Sequence, residues 1–386
     1  MISLKRPDSS AHGLERSAWE YAKQLTAHGS EVTIIYSFAS KNRTEEVVSG
    51  MNLIGLPRNG VLGYLRFSVA CRDEVIRQDP GSRFDIIALF GHKGVLAGAL
   101  LRNHANQAIV WHIATSSVME MRGYFSDLVV SLPGSLPRLY AHFEGIVLEL
   151  LFARFVDAIV TGTPRSRAET AYLGKEAFAV PYGQGASDFI DASTRETVDA
   201  VRSRFAGKKI VLFVGEGWHR KGVRFLLRAF SEVRQRVPAV LLVVSSPQRG
   251  YGHLMRELDL KLGRSVIVTG FVSDKTLGVL YSACDVFVLP SHHEVLSQTL
   301  LEAMALGKPV VVSPMAAYPL VQDHVSGLIV NERKPHELSR AITQVLTSPE
   351  EASRLGSAAR VAAQKYTWEK CGSILLKTYE ELCSRK

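Results

Sequence analysis

The 386-residue chain exceeds what one ordinary hydrophobic core sustains and suits two domains, and 46% hydrophobic against 22% charged residues excludes a disordered or fibrous chain. No run of about 18 uncharged apolar residues occurs, since even Ile146 to Val160 carries Glu149, Arg154 and Asp157, so no membrane-spanning helix is expected. Net charge is +9, with 19 Lys/Arg against 17 Asp/Glu in residues 1–185 and 27 against 20 in 186–386; no Lys/Arg-rich block or nucleic-acid motif accompanies the surplus, so nucleic acid is not an expected partner.

Residues 1–13 hold two basic residues but no apolar stretch, so no export signal is read and a cytoplasmic protein is expected. A short strand Ile2–Leu4 leads into a turn at Arg6–Gly13 and a helix over Glu15–His28. Strand Val32–Tyr36, helix Leu62–Arg77 and strands Ile86–Phe90 and Ile109–His112 continue a Rossmann-like unit whose first strand is abbreviated. Around Pro181–Ser187 a proline and two glycines supply a turn, which predicts domains over 1–185 and 186–365.

The second half alternates more regularly. Strands are expected at Ile210–Val214, Val240–Val244, Val266–Thr269, Val286–Leu289, Val310–Val312 and Leu328–Val330. Between them fall helices at Val223–Gln235, Tyr251–Leu262, Asp274–Ala283, Gln298–Leu306 and Pro335–Leu346. Strand then helix, repeated, predicts an α/β fold with a doubly wound parallel sheet. Residues 366–386 form one more amphipathic helix. Cys71, Cys284, Cys371 and Cys383 lie far apart with no Cys-x-x-Cys pair, which argues for neither a disulfide framework nor zinc.

Two strings carry chemistry. In PSHHEVLSQTLLEAMALGKPVVVS, Pro290 to Ser313, Glu294 ends a strand-to-loop segment and Glu302 lies eight residues on in the following helix. Carboxylates accept pairs of sugar hydroxyls, and the free amides of a helix N-terminus accept phosphate oxygens. In FVGEGWHRKGVRFLLRAF, Phe213 to Phe230, Gly215 and Gly217 permit a tight turn, and Arg220 and Lys221 place two cations at a helix start, a composition suited to a diphosphate.

The first string resembles the E-x(7)-E signature of the family-four retaining glycosyltransferases, whose pattern is close to PSxxEGFGxxxLEAMAxGxPVVxS; the second resembles their FVGRxxxxKG turn. The resemblance extends along nearly the whole chain and implies the GT-B fold: two Rossmann-like doubly wound domains facing across a cleft, with the TWEKC segment, Thr367–Cys371, starting a last helix that crosses back onto the first domain. It implies that Glu302 holds the nucleotide ribose, that Glu294 meets the donor sugar with Val295, Leu296 and Ser297 beside it, and that Lys221 and Arg220 neutralise the leaving diphosphate. Gly13 in HGLER and Gly215 would face the phosphates, Gly270, Phe271 and Val272 the base, and His112 the donor sugar; His92 is an acceptor-side candidate. The chain departs from the pattern at His12, Val295 and Ser297, where glycine is common, at Glu216, where an arginine is common, and at Ser245–Ser246–Pro247, where GxGP is common. A carboxylate facing a diphosphate would repel it, so Glu216 is expected to turn away, pairing with Arg220 or meeting a donor hydroxyl.

The expected activity is transfer of a sugar, with retention, from a nucleotide-diphosphate sugar, a UDP-sugar ahead of GDP-mannose, to a hydroxyl acceptor in glycan, glycolipid or polysaccharide synthesis. A GT-B epimerase or phosphorylase shares the architecture, and a non-catalytic two-lobed sugar-binding protein is the rival of another class. No Asp-x-Asp triplet occurs, so metal-independent transfer without a cofactor is expected. The segment Val118–Leu139, rich in Met, aromatic, Leu and Pro residues, reads either as a packed loop over the core of the first domain or as a receiver of a hydrophobic or lipid-linked acceptor, and with the basic surplus it suits peripheral contact with a membrane surface.

Overall fold

The computed structural model describes the chain apart from residues 4–5, 7–12, 39–41, 59–62, 79–83, 92–94, 103–106, 114–134, 186–193, 217–219, 247–264 and 386. It divides into two compact units, Met1–Gly183 with Trp368–Lys386, and Gln184–Thr367, where the sequence placed the change after 185 and the return at 366.

The first unit holds strands β1 (Ile2–Ser3), β2 (Thr33–Phe38), β3 (Thr44–Val48), β4 (Met51–Pro57), β5 (Ile86–Phe90), β6 (Ala108–Ile113), β7 (Ala158–Thr161) and β8 (Glu176–Ala179). They form one sheet in the order β3-β4-β2-β1-β5-β6-β7-β8, parallel throughout except for β3 at the edge. β6 is buried along its whole length, as a central strand covered on both faces must be, and reads as an unbroken apolar run around His112. Edge strand β3 instead carries Glu45 and Glu46, a composition that discourages pairing with another chain. Helix Trp368–Ser384 packs on helix Leu14–Ala27. Gly372 permits the approach, because a Cβ there would lie 2.4 Å from Gln24 Cβ. Tyr21 donates its hydroxyl to Pro181 O at 2.8 Å and meets Trp368 edge-on at 5.5 Å, tying the returning helix to the end of the first segment.

The second unit is an all-parallel sheet of β9 (Lys209–Val214), β10 (Ala239–Val244), β11 (Val266–Val268), β12 (Val286–Leu289), β13 (Val310–Val312) and β14 (Leu328–Ile329), ordered β11-β10-β9-β12-β13-β14. Its helices include Val223–Arg236, Asp274–Ala283, Gln298–Ala305 and Pro335–Thr347. In Val223–Arg236 the apolar positions recur at helical spacing, and Val223, Leu226, Leu227, Phe230 and Val233 are fully buried. Burying such side chains contributes about 1.5–3 kcal/mol each. Asp285 pins the start of β9, accepting from Ile210 N–H at 2.7 Å and pairing with Arg202 at 2.9 Å.

The structure adds elements that periodicity did not suggest: the hairpin β3–β4, strands β7 and β8, and helices Val95–Leu101, Ser135–Phe152, Thr194–Arg204 and Pro349–Ala363. The expected helix Tyr251–Leu262 lies outside the described residues.

Candidate functional site

In open parallel sheets, ligands bind at the carboxyl ends of the strands, where loops and helix N-termini gather. Here β9 lies between β10 and β12. After β12 the chain passes through Pro290–Ser297 into helix Gln298–Ala305, whose start Ser297 caps by accepting from Leu300 N–H at 3.4 Å. After β9 it turns at Gly215 and reaches helix Val223–Arg236 through Arg220–Gly222.

These two loops are joined. His292 N–H donates to Arg220 O at 2.9 Å, and Arg220 Nη1 donates to His293 O at 3.0 Å. Gly222 has φ +68° and a Cβ built on it would stand 2.0 Å from Pro290 O, so both its conformation and its clearance require glycine. Thr299 Oγ1 donates to Val214 O at 3.4 Å, which fixes the start of the helix Gln298–Ala305 against the end of β9.

The junction delivers Lys221 onto Glu294. Lys221 Nζ donates to Glu294 Oε1, and Arg220 Nη1 stands 3.7 Å from the same oxygen. The Lys221 and Glu294 side chains are 9% and 7% exposed, whereas that of Arg220 is 42% exposed. Burial pulls the Lys221 ammonium below its ordinary value, with Glu294 opposing that shift. Burial alone would raise Glu294; Lys221 and Arg220 outweigh it and hold the carboxyl below the usual range.

Glu302 is buried on helix Gln298–Ala305, with Tyr281 Oη 3.0 Å from Oε2 and 3.1 Å from Thr299 O. Tyr281 belongs to helix Asp274–Ala283, which begins directly after Gly270, Phe271 and Val272. One helix therefore presents the segment expected beside the base at its start and orients the carboxylate expected on the ribose near its end. Gly270 has φ +75° with open space about it, and Phe271 is 65% exposed. Beside Glu294, Val295 is half-buried and Leu296 is buried; Ser297, where glycine is common, is occupied as the helix cap.

Glu216 reaches the carboxyl end of a neighbouring strand. Its Oε1 accepts from Ser245 Oγ at 3.0 Å and from Ser246 N–H at 2.7 Å, at the carboxyl end of β10. Two departures from the family pattern, far apart in sequence, thus meet in one hydrogen-bonded contact. Tyr281 and the Ser245–Ser246 donor pair are neighbours of these carboxylates whose contacts the sequence did not reveal: Tyr281 sits in a helical apolar pattern, and the serines read only as a missing glycine motif.

Gly13 and His112 belong to the first unit. Gly13 has φ +64° at the start of helix Leu14–Ala27, is exposed, and accepts from Ser17 N–H at 3.1 Å. His112 corrects the expectation. It is 2% exposed, stacked on Phe90 at 4.2 Å, with Nε2 2.7 Å from Tyr379 Oη, and burial pulls its pKa down to about 3. A central strand buried on both faces leaves its side chains no route outward, so His112 is a neutral core residue linking β6 to helix Trp368–Ser384. His12, His92, Gly217, Trp218, His219, Pro247 and residues 118–134 lie outside the described residues. Among the described residues, no group of three or more His, Cys, Asp and Glu side chains could hold a metal ion, and no helix is long and apolar enough to cross a membrane.

Residues 194–362 match the family model described as Glycosyl transferases group 1. The chain is 24% identical to an uncharacterized glycosyltransferase of Methanocaldococcus jannaschii, over 98% of this chain and 97% of the relative. It is 32% identical to the D-inositol 3-phosphate glycosyltransferase of Segniliparus rotundus over 45% of this chain, and spans 40% of that relative's length. Among solved structures, sucrose-phosphate synthase from Thermosynechococcus elongatus superposes with a TM-score of 0.82 at 22% identity, covering 100% of this chain and 98% of that one. The Anabaena HepE structure in complex with UDP-glucose gives 0.74 at 16% identity, covering 98% of each chain. The fold is GT-B, and the E-x(7)-E carboxylates, Glu294 and Glu302, lie on the strand-end loop and helix of the segment that matches the group 1 glycosyl transferases.

Proposed function

We propose that the protein transfers a sugar, with retention at the anomeric carbon, from a nucleotide-diphosphate sugar to a hydroxyl acceptor. The observation that carries this reading is the convergence of Arg220 and Lys221 with Glu294 at the strand ends that also hold Glu302. Lys221 and Arg220 take the diphosphate, Glu294 accepts donor sugar hydroxyls, and Glu302, oriented by Tyr281, accepts from the ribose. The acceptor oxygen bonds to the anomeric carbon as the bond from that carbon to the diphosphate oxygen breaks, and the acceptor proton passes to the departing phosphate on the same face. The protein supplies positioning and positive charge where negative charge grows. A UDP-sugar is the preferred donor, a reading supported by the UDP-glucose bound to the Anabaena protein of like fold. The acceptor and any membrane contact were expected at Val118–Leu139, most of which lies outside the described residues.

The test is a panel of UDP- and GDP-sugars with and without EDTA, followed by NMR of the product. Release of the nucleoside diphosphate, unchanged by EDTA, with the donor's anomeric configuration kept in the product, is the expected result. An inverted product would overturn retention, and loss of turnover restored by manganese would overturn metal independence. Glu302→Gln is expected to weaken nucleoside-diphosphate binding by about tenfold or more, since hydrogen bonds to a charged group contribute about 1.5–3 kcal/mol. Calorimetry that finds unchanged affinity would remove Glu302 from the ribose.

A further inference from the structure

Two groups with separate tasks in transfer are bonded to each other. Lys221 is needed by the diphosphate and Glu294 by the donor sugar, yet Lys221 Nζ donates to Glu294 Oε1 and both side chains are nearly closed to solvent. Arg220, 3.7 Å from the same oxygen, is also engaged by His293 O at 3.0 Å. Arg220, Lys221 and Glu294 together therefore carry a net charge of +1 rather than +2. A diphosphate entering this corner meets a carboxylate in contact with the cation it requires.

We propose that Glu294 is the counter-ion of the phosphate site, which Lys221 exchanges for the diphosphate when the donor binds, so that the carboxylate becomes available to sugar hydroxyls only once the phosphates are seated. This rests on the donor assignment above and extends it, because it makes recognition of the sugar conditional on the diphosphate. Pairing satisfies both buried charges at once, since an ion buried alone costs several kcal/mol. The positions of the neighbours favour exchange over a simple addition. Lys221 lies along Gly215, where a built Cβ would be 3.7 Å from Nζ, so the ammonium already stands at the glycine turn expected to face the phosphates. Arg220, more exposed, keeps its own bond to the loop that carries Glu294. Releasing Glu294 from Lys221 therefore frees one cation for the phosphates without dismantling the joined loops.

The exchange predicts a sign that simple donor contact does not. Removing a donor-contacting carboxylate should weaken ligands; removing a competing counter-ion should tighten those that lack the sugar. Glu294→Gln is expected to bind UDP about tenfold tighter than the wild type, to lose that advantage with UDP-glucose, and to turn over poorly. In a Lys221→Met background the same Glu294→Gln change should bring no gain in UDP affinity. A thermal double-mutant cycle should show each single variant destabilised and the double variant less so than the two losses combined; Glu294→Asp takes the place of Glu294→Gln if the latter fails to fold. Equal or weaker UDP binding by Glu294→Gln, with UDP bound normally by the wild type, would overturn the exchange while leaving the donor assignment intact. A gain that persists without Lys221, or additive stabilities, would overturn it as well. If the wild type binds none of UDP, GDP and ADP while the stabilities still couple, the donor assignment falls and the exchange with it, leaving a structural ion pair.

Discussion

Lys221→Ala is expected to lower kcat by about 100-fold, equivalent to about 2.7 kcal/mol of transition-state stabilisation, while weakening nucleoside-diphosphate binding far less. Charge on the diphosphate grows as the glycosidic bond breaks, so a cation held beside it acts more strongly on the transition state than on the bound donor. In the ground state its attraction is further offset, because binding separates it from Glu294. The variant should also melt earlier: leaving one member of a buried pair without its partner costs about 3–5 kcal/mol, and Arg220 at 3.7 Å compensates only in part. Kinetics well below the melting temperature separate the two effects. Glu216→Ala serves as the contrast, with a much smaller fall in kcat, because its carboxylate is occupied with Ser245 and Ser246. Normal turnover by Lys221→Ala would remove the lysine from the phosphate site.

The second large effect is expected at Gly222, through backbone geometry alone. An alanine there must hold φ near +68° and place its Cβ 2.0 Å from Pro290 O. The conformation costs about 1–2 kcal/mol for a residue with a Cβ, and the contact with a backbone carbonyl cannot be relieved by rotating a side chain. The Arg220–Gly222 loop would have to withdraw from Pro290–Glu294, breaking the bonds from His292 N–H to Arg220 O and from Arg220 to His293 O. A loss of about 3 kcal/mol, or roughly 6–12 °C in Tm for a domain of this size, is expected. UDP affinity should fall with it, because Lys221 moves with the loop. Gly222→Ala melting and binding as the wild type does would show that the junction is not needed to form the site.

The buried strands of the second unit were legible because each is a short unbroken apolar run: Val286–Leu289 and Val310–Val312 appear with the expected ends. The hairpin β3–β4 was not, because TEEVV carries two glutamates among five residues and sits at a sheet edge where one face stays wet. At the site, Glu294, Glu302, Arg220 and Lys221 could be named from their string, but not that Lys221 would close on Glu294, which depends on two loops meeting across β9 and β12. His112 misled because a strand-end histidine in sequence becomes interior once Phe90 stacks on it and Tyr379 of helix Trp368–Ser384 closes over it. Glu216 was legible only as a conflict; its partner lay 29 residues away at Ser245, just past the end of the neighbouring strand β10.

The packing of helix Trp368–Ser384 on helix Leu14–Ala27 sets an order on assembly. Multidomain chains commonly complete their N-terminal domain first during synthesis. Here Gln184–Thr367 is contiguous and can close on its own, whereas the unit begun by Met1–Gly183 waits for residues that follow it. At about 5–20 residues per second, making the intervening segment takes on the order of 10–40 s. Throughout that interval Tyr21, which meets Trp368 in the finished unit, and Gln24, against which Gly372 packs, lack the cover of the returning helix. The nascent chain thus offers an uncovered helical face to chaperones near its start, and the half of the molecule translated first is the half that matures last.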